Sequence, residues 1–323
     1  MDISLVIPSY NRADLIIDTI ESALHQTQAF AEIIVVDDAS SDDTLKRLEV
    51  YGDRITVIAS EKIGVQRARN IGVEAAHTKY VILCDSDDLL QPKHVEIISN
   101  WLDKYPQCDA VYTNHQVFSG KDIRSETFSR APADFFDGAR KEGSFLFDIP
   151  DLYLKSATFQ PLLVSGVTLK KSFYSKIGGF DPEFDGVPSE DWEFTLRVVN
   201  LGNVALCVEP ITLIRRHPGN DSASALRQRL GEVVVLEHAL QHHKCSTAYH
   251  PDLNAIIDGH RLWAFEEAFG RKKLRLAAAI FPLLRKRRSN FKFLVKSVLI
   301  RLYMAMPTYK VPSLRTQYAD ASR

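Results

Sequence analysis

Three carboxylates follow an apolar run near residue 85 and have the chemistry to bind a divalent cation. The run at residues 80–84 is typical of a buried strand, and Asp85, Asp87 and Asp88 come directly after it. An apolar core does not tolerate such a cluster without a cation. Because ligands of parallel α/β sheets bind beyond the carboxyl ends of the strands, the cluster is predicted to lie in a site. The predicted ligand is a divalent metal that carries phosphate.

A second acidic pair and a basic helix could complete such a site. Asp37 and Asp38 end another apolar run, where a carboxylate can accept a hydrogen bond from a base or a ribose hydroxyl. Helix capping is the alternative interpretation, because Asp and Ser are favoured at helix starts. Gly64 permits a close backbone approach, and Arg69 on the following helix could reach phosphate or the acidic cluster. Arginine on a helix is also commonly a solvated residue, so both roles stay open.

The first hundred residues alternate short apolar runs with polar segments of helical character. This alternation predicts a βαβα pattern, and hence a parallel sheet flanked by helices. Strands are predicted at residues 3–7, 33–36, 55–58 and 80–84. Helices are predicted at residues 12–26 and 43–51, with a third that begins at Pro92 and ends before Pro106.

Beyond residue 109 the pattern is less regular. A strand is predicted at residues 110–117, and the polar, turn-rich stretch 119–150 is interpreted as a loop or lid. A helix is predicted from Ser189 to Gly202, with strands at 204–208 and 211–215 after it. From residue 222 onward the pattern is mainly helical. We therefore predict an α/β domain over residues 1–220 and a mainly helical region over residues 221–323.

The composition describes a globular chain whose charge is divided along its length. Its 323 residues are 45% apolar, which supports a large core. The formal net charge is -1, yet residues 271–323 contain 14 basic residues and one acidic residue. The four cysteines lack the spacing of a zinc or redox site and are predicted to be reduced thiols. No secretory leader is evident and no apolar run approaches the roughly 20 residues that span a bilayer, so we expect a cytoplasmic protein.

The order of the motifs is far more specific than any one of them. Four occur in succession, namely Val6-Ile7-Pro8-Ser9-Tyr10-Asn11-Arg12, Val35-Val36-Asp37-Asp38-Ala39-Ser40, residues 64–70 and Asp85-Ser86-Asp87-Asp88. Three more follow, namely Ser165-Gly166-Val167, Ile177-Gly178-Gly179-Phe180-Asp181 and Ser189-Glu190-Asp191-Trp192-Glu193. On these motifs the chain resembles the family-2 glycosyltransferases of the GT-A fold, over about two-thirds of its length and up to about His217.

The resemblance implies both a fold and a donor site. The implied fold is a GT-A (Rossmann-like) α/β fold, with a mixed, mostly parallel central sheet flanked by helices and a helical C-terminal extension. Residues 1–220 would then form the nucleotide-sugar-binding and catalytic domain. Five residues are implied to hold the uridine-like half of a sugar nucleotide, with the last of them contacting the base: Pro8, Tyr10, Asn11, Asp37 and Asp38.

The resemblance also implies a metal that spans the two donor phosphates and offsets charge on the leaving diphosphate. Asp87 is implied to bind Mn²⁺ or Mg²⁺ directly, with Asp85 near the ribose or the metal shell and Arg69 near phosphate. Asp88 is compatible with helix capping or with ligation. His217 could ligate the metal or bond a phosphate, although a lone histidine is usually structural. Other histidines show no carboxylate at metal-site spacing and are predicted to lie on helix surfaces: His238, His242, His243 and His250.

Asp191 matches the general base of similar enzymes. In an inverting transfer this carboxylate removes the proton of the acceptor hydroxyl as that oxygen attacks the anomeric carbon. Glu190 and Asp191 could instead only complement a helix dipole, and Glu190 could be mistaken for the base. Trp192 is interpreted as either an acceptor platform or a core aromatic residue.

The basic end of the chain combines charge with apolar residues at helical spacing. It begins with Arg285-Lys286-Arg287-Arg288 and continues through residues 291–303, where Lys292, Lys296 and Arg301 interrupt an apolar pattern. This composition is typical of a helix that lies on an anionic membrane surface. The alternative is a helix packed on the acidic body with solvated lysines. No recognition motif for nucleic acid accompanies the charge, so no nucleic-acid partner is expected.

Together these features predict an inverting, metal-dependent glycosyltransferase. It would move a sugar from a nucleoside diphosphate donor, a UDP-sugar, to a hydroxyl of a glycan or lipid-linked acceptor in surface polysaccharide biosynthesis, at the inner face of the cell membrane. A nucleotidyltransferase is one alternative, but it would ordinarily carry a glycine-rich phosphate loop where Pro8-Ser9-Tyr10-Asn11 stands. A non-catalytic nucleotide-binding scaffold is another, but it would lack a residue such as Asp87 or Asp191.

Overall fold

The computed structural model describes residues 1–120, 122–217, 224–285 and 289–306. Two compact units are present. The first comprises residues 1–186 and 194–217, and the second comprises residues 187–193 together with the described residues from 224 onward. The predicted domain boundary at residue 220 lies outside the described residues.

The amino-terminal half of the sheet in the first unit is parallel. Its strands are β1 (Ile3–Ser9), β2 (Glu32–Asp38), β3 (Thr56–Ser60) and β4 (Tyr80–Leu83), and they lie in the order β3-β2-β1-β4. Each strand begins within two residues of its predicted start. Because all four run the same way, their carboxyl ends, including the residues that follow β2 and β4, meet at one edge of the sheet.

The remaining strands make the sheet mixed. The short strand β10 (Thr168–Lys170) runs antiparallel between β4 and β6 (Ala110–Ser119), and β11 (Val204–Arg215) pairs in parallel with β6. The pair Leu89–Leu90, β5, adds to β11 in antiparallel orientation. The predicted mixed sheet is therefore confirmed, and the expected strands 204–208 and 211–215 form one strand with register shifts around Pro210.

Residues 119–150 are not a simple loop or lid, and that prediction is wrong. The stretch contains β7 (Asp122–Glu126), β8 (Arg140–Glu142) and β9 (Phe145–Phe147). β9 pairs with β11, and the Phe145 ring stacks on Trp101 with 4.3 Å between ring centroids. β7 pairs with β6, and β8 pairs with β9. The strands β8 and β9 are short and partly charged, so their place in the sheet depends on β11 and on the aromatic contact rather than on a local apolar pattern.

Helices cover both faces of the sheet in the first unit. Leu5 and Ile7 of β1 belong to one apolar cluster with Ile20, while Val6 between them belongs to the opposite cluster with Val73. This alternation is the period of a strand buried on both faces. The helices are α1 (Ile16–Leu24), α2 (Thr44–Leu48), α3 (Val65–Ala75), α4 (His94–Lys104), α5 (Leu152–Thr158), α6 (Lys171–Lys176) and α7 (Glu190–Leu201), whose first four residues belong to the second unit.

The second unit is helical, as the sequence predicts. Its further helices are α8 (Ala225–His242), α9 (His250–Gly270), α10 (Leu274–Ile280) and α11 (Phe291–Met304). They share a core that includes Leu226, Phe265, Ile280, Phe293 and Ile300. Among the described helices, none combines the length and the apolar character needed to cross a bilayer.

Burial of His94 couples the stability of the first unit to pH. Its ring is fully buried, Nδ1 donates to the Ile211 carbonyl over 3.1 Å, and burial lowers its pKa to about 4. Because this value lies below the roughly 6.5 of an unfolded histidine, the contribution to stability is complete above pH 6.5 and falls as the pH falls towards 4. We expect His94 to account for about 2 kcal/mol of lost unfolding free energy between about pH 7 and about pH 5.

Urea unfolding at those two pH values measures this effect. The His94→Gln variant keeps a hydrogen-bond donor for Ile211 but does not titrate, so its pH dependence should be shallower than that of the unsubstituted chain by about 2 kcal/mol. Equal pH dependence of the two proteins would contradict the assignment.

Candidate active site

The loops that follow β1 and β2 are bonded to each other at the carboxyl edge of the sheet. The backbone N–H of Asn11 donates to Ser40 Oγ over 2.8 Å, and the N–H of Ser41 donates to Asn11 Oδ1 over 2.8 Å. Asn11 and Ala39 both adopt left-handed backbone conformations, with φ of 50° and 59°. Such conformations persist where surrounding contacts hold them, often at ligand sites. The Asn11 side chain thus bridges the two loops, and Pro8 is buried within β1.

Buried polar atoms without partners lie at the ends of β1 and β2. Asp37 Oδ2 accepts from the Ser40 N–H over 2.9 Å, whereas Asp37 Oδ1 has no hydrogen-bond partner among the described residues. Ser9 pairs with Asp37 in the β1–β2 register, and its buried Oγ also has no hydrogen-bond partner among the described residues. The amide of Gln66, in the first turn of α3, is a third such group. Because buried polar groups in native proteins are nearly always bonded, these three side chains are candidates to bind a polar ligand.

Asp38 organises the loop before α3. Its carboxylate accepts from Lys62 Nζ over 2.8 Å, from the Ile63 N–H over 2.6 Å and from the Gly64 N–H over 3.2 Å. The side chain predicted to contact the base is therefore already bonded within the protein, and its neighbour Asp37 offers the oxygen without a partner. Tyr10 is 42% exposed, and its ring lies under Lys62 Nζ.

Gly64 is required at the start of α3 for a steric reason. Its φ is 87°, and a Cβ at this position would meet the carboxylate of Asp185 at 2.3 Å. The close approach predicted for this glycine thus involves a side chain of the same unit. Six residues later, Asn70 donates to the Phe180 carbonyl over 2.8 Å and accepts from the Phe180 N–H over 2.9 Å. The motifs around residues 64–70 and 177–181 are therefore one structural element.

Asp85 and Arg69 form an ion pair at the end of β4. Arg69 Nη2 lies 2.8 Å from Asp85 Oδ1, and its guanidinium lies 5.0 Å from the centre of the Phe180 ring. Arg69 is 4% exposed, whereas the Asp85 side chain is 38% exposed. The arginine is thus a buried residue that orients Asp85, and the interpretation of Arg69 as a solvated helix residue is wrong.

Asp87 lies between two groups that can carry positive charge. Its Oδ2 is 2.9 Å from His217 Nε2 and 3.6 Å from Arg12 Nε. The Asp87 side chain is 12% exposed and that of His217 is 18% exposed. The structure therefore brings together two residues that are 130 positions apart and that the sequence nominated separately. Arg12, which directly follows Pro8-Ser9-Tyr10-Asn11, was not predicted as a site residue.

Asp88 is a buried residue that bonds two distant segments of the chain. Its two carboxylate oxygens accept from Ser165 Oγ over 2.5 Å and from the backbone N–H of Arg215 over 2.9 Å. Burial first, and then the charges of Asp87 and Asp85, raise the pKa of the Asp88 carboxyl well above its ordinary value. Arg215 also donates from Nε to the Asp87 carbonyl over 2.8 Å. The bonds of Asp88 thus connect the end of β4 to β11. This role differs from the two that the sequence suggested, helix capping and metal ligation.

The donor set at this edge fits a hard divalent cation. Asp85 and Asp87 offer carboxylate oxygens, and His217 offers an imidazole nitrogen beside Asp87. Oxygen ligands suit Mg²⁺ and Mn²⁺, and an added imidazole favours Mn²⁺ over Mg²⁺. The cations that pair with these carboxylates in the described residues, Arg69 and Arg12, show that the cluster requires positive charge.

The first turn of α7 lies in the second unit and carries Glu190, Asp191 and Trp192. Ser189, which precedes it, has a left-handed φ of 63° and accepts a hydrogen bond from Gln228 Nε2 over 3.2 Å. Glu190 and Asp191 are half-buried, and Trp192 is 3% exposed. The Trp192 ring is thus a packing element in this structure, while the role of Asp191 as base stays a prediction.

The surface placement predicted for the late histidines is wrong for His243. Its side chain is 2% exposed, and Nε2 lies 3.1 Å from Glu193 Oε1, which is equally buried. The partners are 50 residues apart, so no local spacing could reveal the pair.

Comparison with known proteins gives matches of sequence and of fold. A family model described as glycosyl transferase family 2 matches residues 4–153. The uncharacterized glycosyltransferase YwdF of Bacillus subtilis is 31% identical over 199 residues, which cover 61% of this chain and 68% of YwdF. The succinoglycan biosynthesis protein ExoO of Rhizobium meliloti is 40% identical over 93 residues, which cover 28% of this chain and 27% of ExoO.

Two solved structures share the fold at low sequence identity. S. aureus TarS 1–349 in complex with UDP is 16% identical, with a TM-score of 0.60 over 99% of this chain and 89% of that chain. The mannosyltransferase PcManGT from Pyrobaculum calidifontis, in complex with GDP-Man and Mn²⁺, is 16% identical, with a TM-score of 0.59 over 99% of this chain and 85% of that chain. The GT-A fold predicted from the motifs is thereby confirmed.

Proposed function

The chain belongs to glycosyl transferase family 2, and we propose that it moves a sugar from UDP to a hydroxyl of a glycan or lipid-linked glycan, with inversion at the anomeric carbon. The observation that carries the donor assignment is that the unpartnered Asp37 Oδ1 and the carboxylates of Asp85 and Asp87 follow parallel strands whose carboxyl ends lie at one edge of the sheet. A nucleoside has N–H and O–H donors for the first, and a diphosphate with its cation suits the second. Family membership favours this function over a nucleotidyltransferase or a non-catalytic scaffold.

Asp85, Asp87 and His217 would hold the metal of this reaction. When bound, Mn²⁺ or Mg²⁺ supplies positive charge that stabilises the leaving diphosphate. PcManGT, which shares the fold, is described with Mn²⁺. Arg69 orients Asp85 through its ion pair, and Arg215 donates to the backbone carbonyl of Asp87, so each of these two residues has a contact within the protein that positions it.

The remaining chemistry is a single displacement. The acceptor oxygen forms a bond to the anomeric carbon while the bond from that carbon to the UDP oxygen breaks, and UDP leaves with the electron pair. Asp191 takes the proton of the acceptor hydroxyl, so no covalent sugar intermediate on the protein is needed.

Asp37 is expected to recognise the nucleoside, whereas Asp38 is expected to support the loop. The Asp37→Asn variant replaces an acceptor oxygen with an amide, so UDP affinity should fall by roughly 10-fold, as for loss of one charge-assisted hydrogen bond. Calorimetric titration with UDP and with inorganic pyrophosphate measures this, because only the UDP affinity should change.

The matched control is Asp38→Asn, which weakens the bonds to Lys62, Ile63 and Gly64. It should lower the unfolding temperature more than Asp37→Asn does, because it removes charge from three contacts within the protein. If Asp38→Asn instead lost more UDP affinity than Asp37→Asn and kept its stability, Asp38 would be the residue that contacts the base.

The acceptor is proposed to be part of a surface polysaccharide made at a membrane. ExoO is named for the biosynthesis of succinoglycan. Helix α11 supports the location, since Phe293, Ser297 and Ile300 are buried while its opposite side exposes large apolar residues. Those exposed residues are Phe291, Leu294, Val295, Val298, Leu299 and Leu302, with Lys292 among them. One face of α11 therefore packs in the second unit, and the other has the composition of a face that contacts anionic lipid. Lys286, Arg287 and Arg288 of the basic run lie outside the described residues.

Vesicle binding tests the exposed face of α11. The triple variant Leu294→Gln, Leu299→Gln and Leu302→Gln should lose most cosedimentation with phosphatidylserine vesicles, because each side chain would otherwise bury apolar area in the interface. The control is Val50→Gln with Ile123→Gln, which changes exposed apolar residues elsewhere in the chain. Equal binding of the triple variant and the control would refute the membrane contact.

The proposed reaction is tested with a panel of nucleotide sugars. Metal-dependent binding and slow hydrolysis of UDP-sugars, but not of the GDP or CDP analogues, would support the donor assignment. The best donor is then offered to candidate glycan and lipid-linked acceptors, and product stereochemistry is read by NMR. A product that retains the anomeric configuration of the donor would overturn the inverting mechanism.

A further inference from the structure

Three metal-binding side chains converge in the second unit, apart from the proposed donor site. Glu193 lies in the first turn of α7, His238 lies in the last turns of α8, and His243 follows the end of that helix. One ligand atom from each lies within 4.8 Å of the other two. Glu193 Oε1 and His243 Nε2 are 3.1 Å apart, and the His238 and His243 rings are 6.0 Å apart between centroids. Ligand atoms around one tetrahedral metal lie at comparable separations, since each metal bond is about 2.0–2.2 Å.

Two of the three side chains are almost fully buried although they are polar. The side chains of Glu193 and His243 are each 2% exposed. A carboxylate removed from water is stabilised by hydrogen bonds and by positive charge close to it. A divalent ion bound by all three side chains would place positive charge beside the buried carboxylate.

The donor set selects the kind of metal. Two imidazole nitrogens and one carboxylate oxygen form the set by which zinc is held in several enzymes, with a fourth position left for water. Mg²⁺ and Ca²⁺ prefer oxygen ligands alone, so they are poorly matched to this cluster. We propose that Glu193, His238 and His243 bind a transition metal ion, with Zn²⁺ the best match.

The consequence for the protein is a metal link between α7 and α8. Glu193 lies two residues after Asp191 on α7, so an ion at this place fixes the first turn of the helix that carries the proposed base. Other contacts in the same unit act in the same direction. Gln228 of α8 donates to Ser189, and the backbone of Pro188 packs so closely on Gly231 that a Cβ there would lie 2.0 Å from the Pro188 carbonyl oxygen. The link is therefore expected to stabilise the unit and to position Asp191, without touching the substrate.

Zn²⁺ and Co²⁺ binding test this site in the full-length chain. The Asp87→Asn variant serves as background, so that the proposed donor site does not contribute metal. After equilibrium dialysis against Zn²⁺, one ion per chain should be retained, and Co²⁺ should give the intense visible absorption of a tetrahedral site. Adding His243→Gln should weaken Zn²⁺ binding by on the order of tenfold or more, and the Co²⁺ band should disappear.

The matched control is His242→Gln, which changes a neighbouring histidine outside the cluster, whose ring lies 4.3 Å from that of His238. This control should retain the ion and the Co²⁺ band. Equal Zn²⁺ affinity in the His242 and His243 variants would overturn the proposal. If His243→Gln does not fold, the Co²⁺ spectrum of the background chain decides, because absence of a tetrahedral band there is also a refutation. Neither failure affects the proposed transfer, which is measured through Asp37, Asp87 and Asp191.

Discussion

Sugar transfer by the Asp191→Asn variant is expected to be roughly 10²- to 10⁴-fold slower than transfer by the unsubstituted chain. Asparagine has the size of aspartate but cannot accept the proton of the acceptor hydroxyl. Donor affinity should not change, because the residues proposed to hold the donor are Asp37, Asp85 and Asp87. Initial rates with saturating donor, together with calorimetric titration of UDP, separate the two quantities.

Glu190 provides the matched control for this experiment. It is the adjacent carboxylate in the first turn of α7 and is half-buried like Asp191. Glu190→Gln should retain most of the transfer activity. If Glu190→Gln were the slow variant and Asp191→Asn the active one, the base would be Glu190. If both variants were fully active, neither carboxylate would be the base.

The approach to α7 gives a physical reason to look for a catalytic group there. Ser189 is a non-glycine residue with a φ of 63°, a conformation that costs free energy and persists only where other contacts hold it. Gln228 bonds its hydroxyl, and Gly231 leaves room for the carbonyl of the preceding Pro188. The first turn of α7 is therefore held in place by α8, on which the geometry of Asp191 depends.

The strands that carry the site could be predicted because burial leaves a strong pattern. A parallel strand covered on both faces needs an almost continuous apolar run, and β1, β2 and β4 have such runs before their polar ends. The strands β8 and β9 have three residues each, and β8 is Arg140-Lys141-Glu142, so nothing local distinguishes them from a loop. Their pairing depends on β11, more than 50 residues later.

The roles of Asp37 and Asp38 depend on the pleat of one strand. Successive side chains of β2 point to opposite faces, so only one of two adjacent carboxylates can be directed at a given ligand. Which one is decided by the loop at residues 62–64, whose lysine and two backbone N–H groups occupy Asp38. That loop is 24 residues away, and no spacing rule connects it to Asp38.

Long-range pairs explain the partners of Asp87 and Asp88, of which the sequence nominated only His217. Arg12 and His217 both approach Asp87, and Arg215 bonds the backbone of Asp87 and the side chain of Asp88. The contacts of His217 and Arg215 arise because β11 pairs with β5, which follows β4. Arg12 approaches because it follows β1, which pairs with β4. Such partners can be identified only when the topology that brings these distant segments together is known.

UDP affinity in the Asp87→Asn variant is expected to lose its dependence on Mn²⁺. Asp87 would hold the proposed ion, which would supply positive charge to the donor phosphates, and a loss of about 3 kcal/mol of this attraction raises Kd by roughly 100-fold. The measurement is calorimetric titration of UDP in the presence of Mn²⁺ and again in the presence of EDTA. In the unsubstituted chain the two affinities should differ by that factor, and in the variant they should coincide at the EDTA value.

The same experiment separates ligation from a purely electrostatic role of Asp87. Asp87 also lies between His217 and Arg12, at 2.9 Å and 3.6 Å, so its removal leaves excess positive charge near the phosphates. If Asp87 only balanced that charge, Asp87→Asn would bind UDP more tightly in EDTA and would keep its response to Mn²⁺. His217→Gln should cause a smaller loss than Asp87→Asn, because a neutral imidazole contributes one bond and no charge to a bound ion. A full response to Mn²⁺ in Asp87→Asn would remove this carboxylate from the metal site, and with it the proposed stabilisation of the leaving diphosphate at the end of β4.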